Sequence, residues 1–199
     1  MAITNGYCTL AEVKAALRLA PSDTADDVLL ENSIEAASRR IDGYCGTFFY
    51  QKQATIQLFT RFLYYCEIPD LASTTLTLRT DDNGDGTFET LWSASDYLLE
   101  PTDTAVTGTP YRRIVATGAK TFPLLFNPSR PAIQLTGTFG YASVPDDVRE
   151  ACVLLAMRGF ARYNSALGIV GFADMAITVR AVDPDVRDYL MPYRQMIVA

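Results

Sequence analysis

The chain has 199 residues, 49% of them apolar, with 17 Lys and Arg against 23 Asp and Glu for a formal net charge of -6, and no histidine. That apolar share supports a buried core, so disorder is not the default, and the length fits one domain carrying a large insertion. Basic residues occur only in short pairs such as Arg39-Arg40 and Arg112-Arg113, which argues against an electrostatic grip on nucleic acid, since that needs clustered cations to displace counterions.

Without histidine there is no Ser-His or Cys-His nucleophile pair and no imidazole base. No GxSxG, P-loop or GxGxxG stands at a strand-to-helix junction, so no enzyme, catalytic residue or cofactor is expected. A carboxylate hydrolase stays open in principle, but no Asp or Glu pair has a distinguishing context. Cysteines fall at 8, 45, 66 and 152, with no CxxC pair. Buried free thiols in a reducing compartment are the expectation, with two disulfides still arithmetically open. The opening MAITNGYCTL lacks a basic and an apolar region, and the longest strongly apolar run is 151–157. Neither a signal peptide nor a membrane span is expected.

Residues 1–46 read as paired helices. Thr9-Leu10-Ala11-Glu12 is a capping-box pattern opening a short helix, with Leu10, Val13 and Leu17 on one face and Pro21 as its stop. Ser22-Asp23-Thr24 offers caps for a longer helix, in which Leu30, Ile34, Ala37, Ile41 and Tyr44 form an apolar stripe and Gly46 is the C-terminal cap.

Residues 47–142 read as an inserted β region, rich in Thr, Phe, Tyr, Ile and Leu and punctuated by Pro and Gly. The segments ATIQLFTRFLYYCEIP, LASTTLTLRT, TFETLWSASDYLLEP, YRRIVATG, KTFPLLF and AIQLTGTFGY give five or six short strands, in an antiparallel sheet or a small barrel. Within them, TDDNGDGTFET resembles a calcium loop. An EF-hand loop wants oxygen ligands at its first, third and fifth positions, glycine at the sixth and glutamate at the twelfth. Asp81, Asn83, Asp85 and Gly86 match and Glu89 falls at the ninth position, but the twelfth is Trp92 and the flanks are strands. The favoured reading is a long exposed β-hairpin, with Asn-Gly and Asp-Gly supplying positive φ at its tip. Asp81, Asn83, Asp85 and Glu89 stay as a weak calcium candidate, and a calcium- or glycan-binding β module on Asp81 to Glu89 is the alternative function.

Residues 143–199 return to the helical period and complete a bundle of about four helices, making the whole an α+β fold. Pro145 suits a first helical position, Asp146 and Asp147 favour the positive helix end, and Val148, Cys152, Leu155, Gly159 and Tyr163 form one stripe. Arg158 and Arg162 share an edge of this helix, either as a solvated face or as an intersubunit or nucleic-acid contact. The glycine-punctuated segment that follows carries Ile169, Val170, Phe172 and Met175, read as a partner surface or an internal strand. Asp183-Pro184 opens a last short helix with Val186 and Leu190 four apart and Pro192 closing it.

In this order, YCTLAEVKAALRL, DTADDVLLENSIEAASRRIDGYCGTFF, TDDNGDGTFETLWSASDYLLEP, IQLTGTFGYASVPDDVREACVLLAMRGFARYNSALGIVGF and VDPDVRDYLMPYR resemble the phage head-tail connector, or adaptor, family related to HK97 gp6 and SPP1 gp15, in its long form with an inserted β region. The resemblance runs from about residue 7 to 194, and Ala166 departs from the proline expected in its loop. It implies a non-enzymatic virion protein made in the bacterial cytoplasm. Such a protein forms a ring, commonly of about a dozen subunits, between the portal protein and a tail stopper or terminator, and continues the channel through which DNA passes without sequence recognition. Ile169, Val170, Phe172, Met175, Arg158 and Arg162 are the candidate ring and partner contacts. Tailed phage and phage-derived particle, such as a gene transfer agent, both remain open at this point.

Overall fold

The computed structural model describes residues 3–124, 130–163, 171–172, 175–176 and 184–195. The fold is α+β, and the chain divides into two compact units, one built from residues 1–49 with 144–199 and the other from residues 50–143.

The first unit is helical. Helix α1 (Leu10–Ala16) opens on the capping box, with the Thr9 hydroxyl accepting from the Glu12 amide at 3.2 Å and the Thr9 amide donating to the Glu12 carboxylate at 2.7 Å. These contacts satisfy two of the donors that every helix start leaves unpaired. The helix ends at Ala16, well before Pro21, because Arg18 turns left-handed at φ 59°. Helix α2 (Asp27–Cys45) starts after Asp26, later than Ser22 to Thr24 and without a side-chain capping bond, and closes on Gly46 at φ 73°, whose amide donates to the Asp42 carbonyl at 2.8 Å.

The apolar stripe of α2 is buried at Leu30, Ile34, Ala37 and Ile41. Its last member is Cys45, which lies four residues beyond Ile41, whereas Tyr44 lies under the Arg194 guanidinium, 5.7 Å from its ring centroid. Each fully buried Ile or Leu contributes about 1.5–3 kcal/mol of transfer free energy. The stripe packs against helix α4 (Asp146–Tyr163). There a side chain on Gly159 would meet Ser33 at 3.4 Å, so the two helices approach closely. Val148, Cys152 and Leu155 of α4 are buried, but the stripe continues through Phe160, and Tyr163 is 62% exposed. Helix α5 (Pro184–Leu190) buries Val186 and Leu190 against this core and runs into a 3-10 turn, Met191–Tyr193, whose Tyr193 ring stands edge-on to Phe49 at 5.6 Å.

The second unit is an antiparallel sheet of β1 (Lys52–Leu58), β2 (Tyr65–Thr80), β3 (Thr90–Leu91), β4 (Tyr97–Glu100), β5 (Tyr111–Ala116) and β6 (Ile133–Phe139). Its order is β1-β6-β2-β5-β4, with β3 paired to the end of β2. No ladder among the described residues joins β1 to β4, so this is a sheet and not a closed barrel. A single turn of helix, α3 (Thr104–Thr107), lies between β4 and β5.

The organising element is β2. Its first part pairs with β5 from Tyr65 to Leu71 and its second part with β6 from Leu76 to Thr80, with register shifts on either side of Leu71. Such irregularities bend a strand and increase its twist. At the bend Leu71 presses on Gly137 of β6, where a Cβ would come within 2.9 Å of the leucine side chain. Leu71, Leu78, Ile114, Ile133, Leu135 and Phe122 are fully or almost fully buried and form this unit's core.

Two segments that read as single strands are broken. ATIQLFTRFLYYCEIP is interrupted at residues 59–64, and TFETLWSASDYLLEP by a turn in which the Ser93 amide donates to Asp96 at 2.8 Å. The second break is a local hydrogen-bonded turn, whereas at 59–64 the chain bonds to a distant segment, the Thr60 hydroxyl donating to the Pro123 carbonyl at 2.5 Å and the Leu63 carbonyl accepting from the Phe122 amide at 2.7 Å.

Candidate functional site

The loop from Asp81 to Glu89 joins β2 to β3 across only two residue pairs, Arg79 with Leu91 and Thr80 with Thr90. The long exposed hairpin expected from the sequence is therefore corrected to a nine-position loop on a very short ladder. It folds around its own carboxylates. Asp81 is fully buried, and its two oxygens accept from the amides of Gly84 at 2.7 Å and Gly86 at 2.8 Å. Those glycines adopt φ 78° and 94°, where a side chain would be strained.

Asn83 accepts from the Asp85 amide at 2.9 Å, and Asp85 accepts from the Thr87 amide at 2.7 Å. Hydrogen bonds from the Thr87 hydroxyl and amide hold the Asp85 carboxyl below its usual range. Asp82 accepts from the hydroxyls of Thr80 and Thr90 at 2.8 and 2.6 Å, and Arg130 donates to the Asp85 carbonyl at 2.8 Å.

Carboxylate oxygens of Asp81, Asp85 and Glu89 lie within 4.8 Å of one another, so three of the four residues of the weak calcium candidate come together as possible ligands of a hard cation. A calcium ion takes 6–8 oxygens, and a bidentate carboxylate normally closes the cage. At that closing position stands Trp92, 5% exposed, stacked on Phe122 at 4.7 Å and donating from its indole nitrogen to Thr80 at 3.1 Å. The indole belongs to the core, and the loop is braced by its own amides.

Of the contacts predicted on the last third of the chain, Arg158 and Arg162 fall on α4, with Arg162 exposed. Phe172 and Met175 pair with each other in a two-strand ladder, β7 (Gly171–Phe172) with β8 (Met175–Ala176). Ile169 and Val170 lie outside the described residues.

A second group was not anticipated from the sequence. Glu35, Ser38, Arg39 and Asp42, spaced three, one and three apart on α2, clamp the segment ahead of α1. The Glu35 carboxylate accepts from the amides of Thr4 at 2.5 Å and Asn5 at 3.1 Å, and Ser38 Oγ accepts from the Tyr7 amide at 3.0 Å. Arg39 donates to the Asn5 carbonyl at 2.9 Å. The Tyr7 hydroxyl donates to Asp42 and accepts from the Phe49 amide at 2.9 Å. Burial is the first cause that raises the Tyr7 and Asp42 pKa values, with the Arg39 guanidinium pulling both down. The signal was present as a polar helical stripe beside the apolar one, but nothing in composition says what such a stripe holds.

Elsewhere exposed apolar side chains concentrate between β1 and β2, at Phe59, Phe62, Leu63 and Tyr64. In the same unit Asp70, 4% exposed, accepts from Arg112 Nε at 2.7 Å, and Arg112 also donates to the Tyr141 hydroxyl at 3.3 Å. No helix among the described residues is long and apolar enough to cross a membrane.

No curated protein matches the sequence. Among solved structures, a chain from the neck of an empty GTA particle computed with C6 symmetry superposes with a TM-score of 0.61 at 22% identity, covering 100% of this chain and 95% of that one. A chain from the virion of a native gene transfer agent (GTA) particle gives 0.57 at 23% identity, covering 100% and 95%. One from the neck of a native GTA particle computed with C12 symmetry gives 0.55 at 22%, covering 100% and 94%. The whole chain thus shares the fold of these particle proteins, and its residues 7–66, holding α1, α2 and β1, match the family of phage gp6-like head-tail connector proteins.

Proposed function

We propose that this protein is a structural head-tail connector, or adaptor, of a tailed phage or of a phage-derived particle such as a gene transfer agent. The observation that carries the reading is coverage. Its helical start matches a connector family, and the likeness to neck and virion proteins extends over the full chain and nearly all of theirs. Both of its halves, helical and β, take part in that likeness.

The finer reading is a ring at the head-tail interface of the virion, docked on the portal protein and followed by a tail stopper or terminator. The sixfold and twelvefold symmetry named for the neck structures supports the ring, because head-to-tail contacts close into rings when the rotation between copies allows it. Arg158, Arg162, Phe172 and Met175, with Ile169 and Val170 beside them in sequence, are the proposed contacts to a neighbouring copy or to the portal. A net charge of -6 suits a wall along which DNA slides without adhering. The role needs no catalytic centre.

The test is assembly. Purified portal mixed with this protein, viewed by electron microscopy, is expected to carry a ring on its outer face; persistent failure to associate with portal rejects the reading. A monomer in isolation does not, since the portal can template the ring.

The other reading, a calcium-binding β module, has the approach of Asp81, Asp85 and Glu89 in its favour. A calorimetric calcium titration with heat in the parent and none in Asp85→Ala supports it, and a flat titration removes it.

A further inference from the structure

Cys8 and Cys152 are 144 residues apart in sequence, yet their sulfur atoms lie 3.2 Å from each other, both buried. Cys8 sits on the segment clamped to α2, between Tyr7 and Thr9, and Cys152 sits near the middle of α4. Ser38 Oγ completes the cluster at 3.4 Å from the Cys152 sulfur. Among the described residues the other two cysteines have no such partner: the sulfur of Cys45 faces the Leu190 carbonyl at 4.0 Å, and that of Cys66 the neighbouring Glu67 carbonyl at 3.4 Å.

We propose that Cys8 and Cys152 are a redox pair that closes to a reversible disulfide by exchange with a soluble disulfide, pinning the N-terminal segment to α4. Moving the sulfurs from 3.2 Å to the bonding distance of about 2.05 Å is a side-chain-scale adjustment. The two thiols also differ in character. Hydrogen bonding from Cys8, then from Ser38 and the Tyr7 and Cys8 amides, holds Cys152 below the ordinary thiol range, while its partner Cys8 is raised. Burial pushes Cys45 and Cys66 up to about 11, and their sulfurs face backbone carbonyls instead of a second thiol.

The order of events follows from where each sulfur sits. Cys8 lies on the segment held by amide contacts to Glu35 and Ser38, so release of those contacts exposes it first and frees it from the burial and the Cys152 contact that raise its thiol. Its thiolate attacks one sulfur of the external disulfide, and the other leaves as a thiolate that takes up the proton Cys8 lost. When the segment recloses, the Cys152 thiolate attacks the Cys8 sulfur of the mixed disulfide, and the second external thiolate departs with the remaining proton. One disulfide and two thiols are exchanged for one disulfide and two thiols, with no further oxidant. The segment is then held covalently in an oxidising medium and by hydrogen bonds alone in a reducing one.

The experiment uses the full-length reduced protein in mixtures of reduced and oxidised glutathione, trapped with an alkylating reagent and read by intact mass and non-reducing peptide mapping. The expected result is one intramolecular bond joining the Cys8 and Cys152 peptides, with Cys45 and Cys66 recovered as thiols and a melting temperature that rises on oxidation and falls back with dithiothreitol. Cys45→Ser and Cys66→Ser keep the bond, Cys8→Ser cannot form it, and Ser38→Ala slows the second step several-fold. Native protein that stays reduced in the most oxidising mixture, a bond between any other pair, or a glutathione adduct on Cys8 that never closes would each overturn the proposal. The peptide map of the unmutated chain decides even if a cysteine variant fails to fold.

Discussion

The helical unit and the sheet unit pin their chain segments in opposite ways. In the first, Glu35, Ser38, Arg39 and Asp42 share one face of α2, so a single helix supplies the four polar side chains described on residues 4 to 7. In the second, pins are gathered from separate elements: Asp70 of β2 meets Arg112 of β5 and, through it, Tyr141 beyond β6, while Trp92 stacks on Phe122 across thirty positions of sequence. A helix repeats its face every three or four residues. A strand alternates faces, so its partners come from neighbouring strands and from the loops that end them. The polar clamp of the helical unit therefore rests on one element, and the pins of the sheet unit rest on several.

The contrast can be broken or sharpened by mutation. The largest expected effect is in the helical unit: Ile34→Ala, at a fully buried position, should cost about 3 kcal/mol by lost transfer and residual cavity. The urea midpoint of helical ellipticity reads it, and a cost under about 1 kcal/mol would mean that the α2 stripe is not the support described here. Next is Asp81→Ala, which leaves the Gly84 and Gly86 amides without their carboxylate and should cost about 2 kcal/mol. The chain holds one tryptophan, Trp92, hydrogen-bonded to Thr80 beside this loop. Its emission should report the loss at lower urea while the helical signal changes less; coincident shifts of equal size would erase the distinction between local and gathered pins.

The smallest effect is a pH dependence. Burial raises the Asp42 carboxyl above 3.8, against the pull of its Tyr7 hydrogen bond and of Arg39. A raised folded-state value means the native state holds this proton more tightly than the unfolded chain. The stability it contributes is present below 3.8 and is lost as the pH rises through the folded value. Asp42→Asn should remove that part of the slope in a pH series of urea midpoints. Identical slopes in the two proteins would assign the dependence elsewhere.

The same contrast explains what could be read from sequence. The α2 stripe, the capping box at Thr9 and the Gly46 cap were legible because each is a pattern within a few residues of one element. The helix starts and stops were less so: Arg18 in a left-handed turn ended α1 early, and Asp26 displaced three better-looking caps. In the sheet, composition announced strands, but not that β2 would bend at Leu71 and serve two ladders, since that depends on the close approach of Gly137 from a strand 66 positions away. The acidic loop was legible as a ligand pattern with its closing glutamate missing. That Asp81 would turn inward onto two amides, while Trp92 joined the core, was not.

The division of the chain at residues 50 and 143 also sets an order of events on the ribosome. The sheet unit is continuous, so every strand it needs has been synthesised once residue 143 is made. The helical unit must wait for α4 and α5, and until then the α2 stripe of Leu30, Ile34 and Ile41 lacks α4, the helix it packs against most extensively. Vectorial synthesis therefore gives the insertion a head start, and leaves the apolar face of α2 without its α4 partner for the rest of translation up to that helix.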